Sequence, residues 1–250
     1  MKIAKCVQLP YETVKGTITQ RYHKVIETNE KVFNQIMESS DDLSFSRLQA
    51  LLQDTFISRS GTPVDVEVST LKLSGVGGMH DFKKSNGDIV GFDIKVPERE
   101  GALPLSNLAH FMHEVTHTGQ LLYEPKIMFR HAKLDKLPEA SKRRIEKFYD
   151  NVLYHQEMDD YFNEFFAQIR LKFAMRKLED SQKLDALMEM RNFLRMEYYA
   201  CLEAEKYELK LLNSGVDIVK VATVDEFLFP EKFEFLNKEI SKLIKKMRKN

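Results

Sequence analysis

The sequence predicts an α+β fold in which a small mixed-sheet lobe is followed by a mainly helical half. Three observations carry that prediction. Apolar and polar residues alternate strongly only in Val64–Ser69 and Val90–Val96, the period of half-buried strands. Between Leu105 and Leu122 the apolar residues are spaced three and four apart, the period of an amphipathic helix. Residues 139–214 contain neither Gly nor Pro, which predicts long helices there.

Taken in order, the first sixty residues read as helical. A periodic stretch near Tyr22–Met37 is followed by a segment from about Leu43 to Phe56, with Ser39-Ser40-Asp41 supplying N-cap chemistry. Gly61-Thr62-Pro63 breaks the pattern. In the strand region Val64, Val66 and Val68 alternate with Asp65, Glu67 and Ser69, and later Val90, Phe92, Ile94 and Val96 alternate with Gly91, Asp93 and Lys95. Asn86-Gly87 suits a two-residue hairpin turn, and Pro97 ends the last strand. Gly75-Val76-Gly77-Gly78 reads as a flexible loop rather than a phosphate cradle, because no helix pattern follows it. The next helix is expected over Ser106–Tyr123. The Gly- and Pro-free stretch is expected to be interrupted near Asp180-Ser181 and to end on a C-cap at Asn213-Ser214-Gly215, with a final helix after Pro230. The expected organisation is one catalytic domain over 1–250, with an upper lobe of helices and sheet over 1–104 and a helical lower lobe over 105–250.

Composition narrows the function classes. Apolar residues make up 43% and charged residues 30%, which places the chain among globular proteins with a proper core. Its 38 basic and 38 acidic residues balance, so no global field recruits nucleic acid, and no nucleic-acid partner is expected. Cys6 and Cys201 are the only cysteines; two distant thiols make no disulfide framework, and neither belongs to a CxxC pair, which argues for buried, reduced thiols. The N-terminal residues lack the apolar core of a signal peptide, and no run is long enough to span a membrane. The expectation is a protein folded in the cytoplasm, exported, if at all, by a route that reads no Sec-type signal.

The most chemically loaded segment is His113-Glu114-Val115-Thr116-His117, an HExxH arrangement within the amphipathic helix. Residues i and i+4 of a helix share a face, so both imidazoles can reach one Zn²⁺ while Glu114 addresses a metal-bound water. In helical projection His110, His113, His117 and Gln120 fall within about 80° of one another. Leu105, Leu108, Met112, Val115, Gly119 and Leu122 form the opposite stripe. One face therefore predicts a core contact, and the histidine face is expected to look toward a cleft or solvent.

On this motif, with strands before it and helices after it, the chain resembles the zincin metallopeptidases. The resemblance is specific at the motif and architectural over about residues 60–180. It implies a zincin-like fold, a Zn²⁺ cofactor held by His113, His117 and one further ligand, and Glu114 as general base. The metzincin extension would place Gly at 120 and His at 123, where this chain has Gln120 and Tyr123. The gluzincin branch instead takes a Glu from a later helix, and Asn163-Glu164, followed three residues on by the small Ala167, resembles that pattern. Glu164 is thus the expected third ligand, with Glu157 and Asp160 as alternatives. Gln168 is expected to hold a ligand imidazole in its tautomer, although the family often has Asp there; His110 would line the cleft or hydrogen-bond behind the ligands. An oxyanion donor would come from Tyr154, His155, Tyr161, Tyr198 or Tyr199, with none preferred. Substrate is expected to pair along the edge of the strand ending at Pro97.

The function these residues suggest is zinc-dependent hydrolysis of a peptide bond in a protein or peptide substrate, by an intracellular peptidase or a bacterial effector. The alternatives are a zinc amidohydrolase acting on a non-peptide substrate, and a helical interaction protein with a fortuitous HExxH. Lys242, Lys245, Lys246, Arg248 and Lys249 make the C-terminal helix basic, which offers a weak contact for an acidic surface, with solvated lysines as the default.

Overall fold

A computed structural model describes residues 23–39, 43–58, 61–72, 79–85, 88–123, 134–154, 162–219 and 229–249. The helices are α1 (His23–Met37), α2 (Phe45–Thr55), α3 (Leu108–Tyr123), α4 (Glu139–Phe148), α5 (Glu164–Ala174), α6 (Asp180–Asn213) and α7 (Phe229–Met247). The strands are β1 (Asp65–Thr70), β2 (Met79–Ser85) and β3 (Asp88–Val96). The chain is therefore mostly helical with one small mixed sheet.

The alternation of β1 and β3 translates into burial. Val66, Val68, Phe92, Ile94 and Val96 are buried, while Asp65 and Glu67 are exposed. The sheet order is β1-β3-β2, with β1 parallel and β2 antiparallel to β3, and the register sets Val66 beside Phe92 and Val68 beside Ile94. Because β3 is the central strand, both its edges are already paired. The strand ending at Pro97 therefore has no edge to offer an extended peptide, contrary to expectation; the edges belong to β1 and β2. β2 was not legible in the sequence, since MHDFKKS lacks alternation and its extended form is fixed by pairing with β3. Asn86-Gly87 and Gly75–Gly78 lie outside the described residues.

The chain divides into two compact units. One comprises residues 21–125 and 199–223; the other comprises 1–20, 126–198 and 224–250. The motif helix α3 thus groups with the sheet and the N-terminal helices rather than with the helical half. Its packing against α1 gives the reason. Gly119 of α3 lies so close to α1 that an added Cβ would stand 3.1 Å from Val25 Cγ1. One turn after Val25, α1 also meets it through a buried polar pair, in which Asn29 Nδ2 donates to Thr116 Oγ1 at 2.9 Å. Thr116 Oγ1 in turn donates to the Met112 carbonyl at 2.7 Å. Asn29→Ala is expected to take away the donor to that buried hydroxyl oxygen, which keeps only its own bond to the Met112 carbonyl, and to leave space where the amide was. A loss of about 1–3 kcal/mol in urea unfolding would register it.

A surface cluster joins α1 to the end of α6. Lys206 and Lys210 both pair with Glu30, the latter at 2.6 Å. Burial opposes the Glu30 charge, but hydrogen bonds from the two lysines outweigh it and hold the carboxyl below its ordinary value. The folded state therefore binds this proton less readily than the unfolded state. The Glu30 contribution to stability is present above the ordinary carboxyl range and fades as pH falls through the lowered value. Glu30→Gln is expected to flatten the acid limb of the stability profile, measured as Tm against pH.

In the other unit the Gly- and Pro-free stretch is interrupted among the described residues by a π-type turn over Tyr149–Tyr154, by the non-helical Phe162-Asn163 before α5, and by a break between α5 and α6. The last of these ends directly at Asp180, close to the expected interruption. Ser44, not Ser39-Ser40-Asp41, is the N-cap residue of α2, and its hydroxyl makes no capping bond. At the far end of α6 the expected C-cap forms. Gly215 adopts φ +79°, and the Val216 amide donates back to the Leu211 carbonyl at 3.1 Å, a Schellman closure that a side chain at 215 would strain.

Candidate metal centre

The histidine pair is built by α3 alone. His113 and His117 stand one turn apart with ring planes at 82°, and their Nε2 atoms lie 3.2 Å from each other. Two nitrogens bound to one tetrahedral zinc at about 2.0–2.1 Å would be separated by about 3.3 Å. The rings thus already converge on a common point at the spacing a shared metal requires. His117 Nδ1 lies 2.9 Å from Gln120 Oε1. An amide oxygen can only accept, so the ring proton sits on Nδ1 and Nε2 presents its lone pair. Gln120, fully buried, therefore fixes the tautomer that ligation needs. The sequence placed Gln120 on the histidine face but gave this duty to Gln168. Gln168 instead donates to Glu239 Oε1 at 3.2 Å in the other unit.

Replacement of Gln120 by Leu is expected to weaken zinc binding by about 10–100-fold while leaving the ligands intact. A competition titration against a chromophoric chelator reads that change directly.

The carboxylate that joins the two imidazoles is Glu197. Its oxygen and the ring nitrogens of His113 and His117 all lie within 4.8 Å of one another, the only such cluster among the described residues. Glu197 stands on α6 two residues before that continuous helix enters the unit holding α3, in the same turn as the buried Ala200 and Cys201. Two imidazoles and one carboxylate make a donor set suited to Zn²⁺.

Glu164 is placed elsewhere. It is the first residue of α5, half-exposed, and accepts from Lys238 Nζ at 3.1 Å. Asn163, which made the Asn-Glu pair attractive, is a helix cap whose Oδ1 accepts from the Phe166 amide at 3.1 Å. The pattern of a Glu followed three residues later by a small residue occurs again at Glu197 and Ala200. That was the signal available in the sequence; Met196 in place of Asn hid it. Glu157, Asp160, His155 and Tyr161 lie outside the described residues, as do His131 and the side chains of Tyr154 and His80. Tyr198 and Tyr199, next to Glu197, are buried. His23 pairs with Glu27 on the surface at 3.0 Å.

The surroundings of the motif also depart from the projected division into core and cleft faces. Glu114 and His117 are 8% and 6% exposed, and Thr116, Thr118 and Gln120 are fully buried. α3 is covered on nearly every side, and only His110 and His113 on its histidine face keep partial exposure. Burial, and secondarily the neighbouring His113, pushes the His110 imidazole down to about 4, so it stays neutral near pH 7. A neutral His110 adds no positive charge to repel a cation one turn away. No family model, curated protein or solved structure matches the chain.

Proposed function

We propose that the protein is a zinc-dependent hydrolase of zincin type that cleaves a peptide bond, with His113, His117 and Glu197 holding the metal. The observation that carries this reading is the convergence of the two imidazole Nε2 atoms, 3.2 Å apart, on a point that a carboxylate also approaches. Zinc, when bound, supplies the Lewis acidity that brings a water toward neutral pKa and polarises a carbonyl. Gln120 keeps the His117 lone pair directed at the metal. Glu114 lies beside His113 and is nearly excluded from solvent, and in this reading it is the group that exchanges a proton. It takes a proton from the attacking water and returns it to the leaving amine nitrogen. Low solvent access strengthens each of these electrostatic interactions.

The same burial favours a second reading, hydrolysis of an amide in a small non-peptide substrate, because Glu114 and His117 leave little open surface for an extended chain. Metal analysis of the purified protein, followed by assays on a peptide library and a panel of small amides before and after chelation, separates the two. About one zinc per chain with chelator-sensitive peptide cleavage is expected. Zinc with amide turnover but no peptide cleavage would select the second reading. Absence of zinc would leave HEVTH as an accidental match on a buried helix.

A further inference from the structure

A second surface, on the unit that does not hold α3, presents chemistry that the metal centre does not use. α5 is amphipathic in the inverted sense. Ala167, Leu171 and Ala174 face inward, while the large residues point out: Phe165 is 66% exposed, Phe166 58%, Ile169 50% and Phe173 54%. In helical projection these four fall within about 100° of one another with Lys172 beside them, and Arg176 follows in the turn after the helix. Residues 165–178 carry four cations and no carboxylate. Four bulky apolar residues displayed together on an eleven-residue helix are uncommon on a surface that meets only water.

Beside this face a groove of about 410 Å³ opens between α5, the start of α6 and α7. Its floor is apolar, formed by Leu171, Met175, Leu187 and Leu243. Lys172, Arg176, Lys183, Lys242 and Lys246 line it against only two carboxylates, Asp180 and Glu239. Both acids are already engaged: Asp180 with Lys183 at 3.2 Å and Lys246 at 2.8 Å, and Glu239 with Lys242 at 2.6 Å. Lys172 and Arg176 have no carboxylate partner among the described residues; Arg176 instead lies over the Phe173 ring at 4.3 Å. The groove thus keeps an excess of positive charge next to aromatic side chains that face outward.

We infer that the α5 face and its adjoining groove dock on an anionic phospholipid surface, with Phe165, Phe166, Ile169 and Phe173 entering the interfacial layer and Lys172 and Arg176 meeting headgroup phosphates. Charge complementarity selects this occupant. Aromatic side chains interleaved with cations that have no carboxylate partner among the described residues match an apolar layer capped by phosphates, and a fluid layer needs no complementary relief to receive a convex helix. No helix among the described residues is long and apolar enough to cross a membrane, so the contact is with its surface.

Sedimentation of the full chain with vesicles tests the inference. Binding is expected to vesicles with about 30 mol% phosphatidylglycerol at about 0.1 M salt and to fall at high salt, with little binding to pure phosphatidylcholine. The pairs Phe165→Ser with Phe173→Ser, and Lys172→Glu with Arg176→Glu, are each expected to lower partitioning at least about tenfold. Their Tm should be unchanged, since all four side chains are exposed. Absence of wild-type pelleting, equal binding to both vesicle types, or variants that pellet like wild type would overturn it. So would a fall in Tm of the phenylalanine pair, which would mean that the molecule covers this face itself. A wild-type dimer split by that pair would assign the face to a second copy of the chain and likewise overturn the proposal.

Discussion

Glu197→Ala is expected to purify with zinc affinity lowered on the order of 10²–10³-fold, whereas Glu164→Ala should retain the metal at wild-type affinity. The magnitude follows from dividing the total free energy of a zinc site, about 10–16 kcal/mol, among three protein ligands and water. Geometry sets the direction. Glu197 belongs to the cluster in which ring nitrogens and a carboxylate oxygen stand within 4.8 Å, while Glu164 is occupied with Lys238 at the start of α5. Mass-spectrometric metal counting and chelator competition on both variants decide between them. Loss of zinc from Glu164→Ala with full zinc in Glu197→Ala would restore the ligand set that the sequence pattern suggested. Removal of the Glu164 carboxylate should also matter little for stability, because its partner Lys238 keeps a second contact with Glu234 at 3.2 Å and all three side chains are well exposed.

The second large effect concerns Glu114. Its replacement by Gln preserves shape and buried volume but removes the group that accepts a proton, so kcat/KM is expected to fall about 10²–10⁴-fold with zinc retained. The variant should fold normally, since an amide is less costly than a carboxylate to place at 8% exposure. Measured together, zinc content and turnover distinguish the roles of the two acids. Glu197→Ala should lose both metal and activity, Glu114→Gln activity alone. An active Glu114→Gln enzyme would remove this residue from the mechanism.

Much of the fold was readable along the chain because the evidence for it is local. The alternation of Val66 and Val68 with Glu67 and Ser69, the three-and-four spacing of α3, and the absence of Gly and Pro after 139 are each set by the period of a single element. β2 escaped because its residues have no preference of their own; β3 imposes their conformation. The inner position of β3 was equally invisible, since no residue within a strand records how many neighbours it will have. For the candidate site, His113, Glu114 and His117 were legible because one helical turn brings them together. The carboxylate that joins them in the cluster was not, because Glu164–Ala167 and Glu197–Ala200 present the same local pattern, and Asn163, a helix cap, weighed toward Glu164.

The sequence alone determined the order of elements, the histidine pair with its adjacent acid, and a core adequate to bury them, because short-range periodicity and residue chemistry decide those features. Tertiary structure decided that Glu197 rather than Glu164 approaches the histidines, that Gln120 orients His117, and that α3 is buried on nearly every side. It also turned the aromatic residues of α5 outward beside a cationic groove. These outcomes depend on which helix faces meet after the chain has closed. A residue about eighty positions beyond His117 can then stand within a few ångströms of the motif, and the spacing of residues along the chain carries no record of that closure.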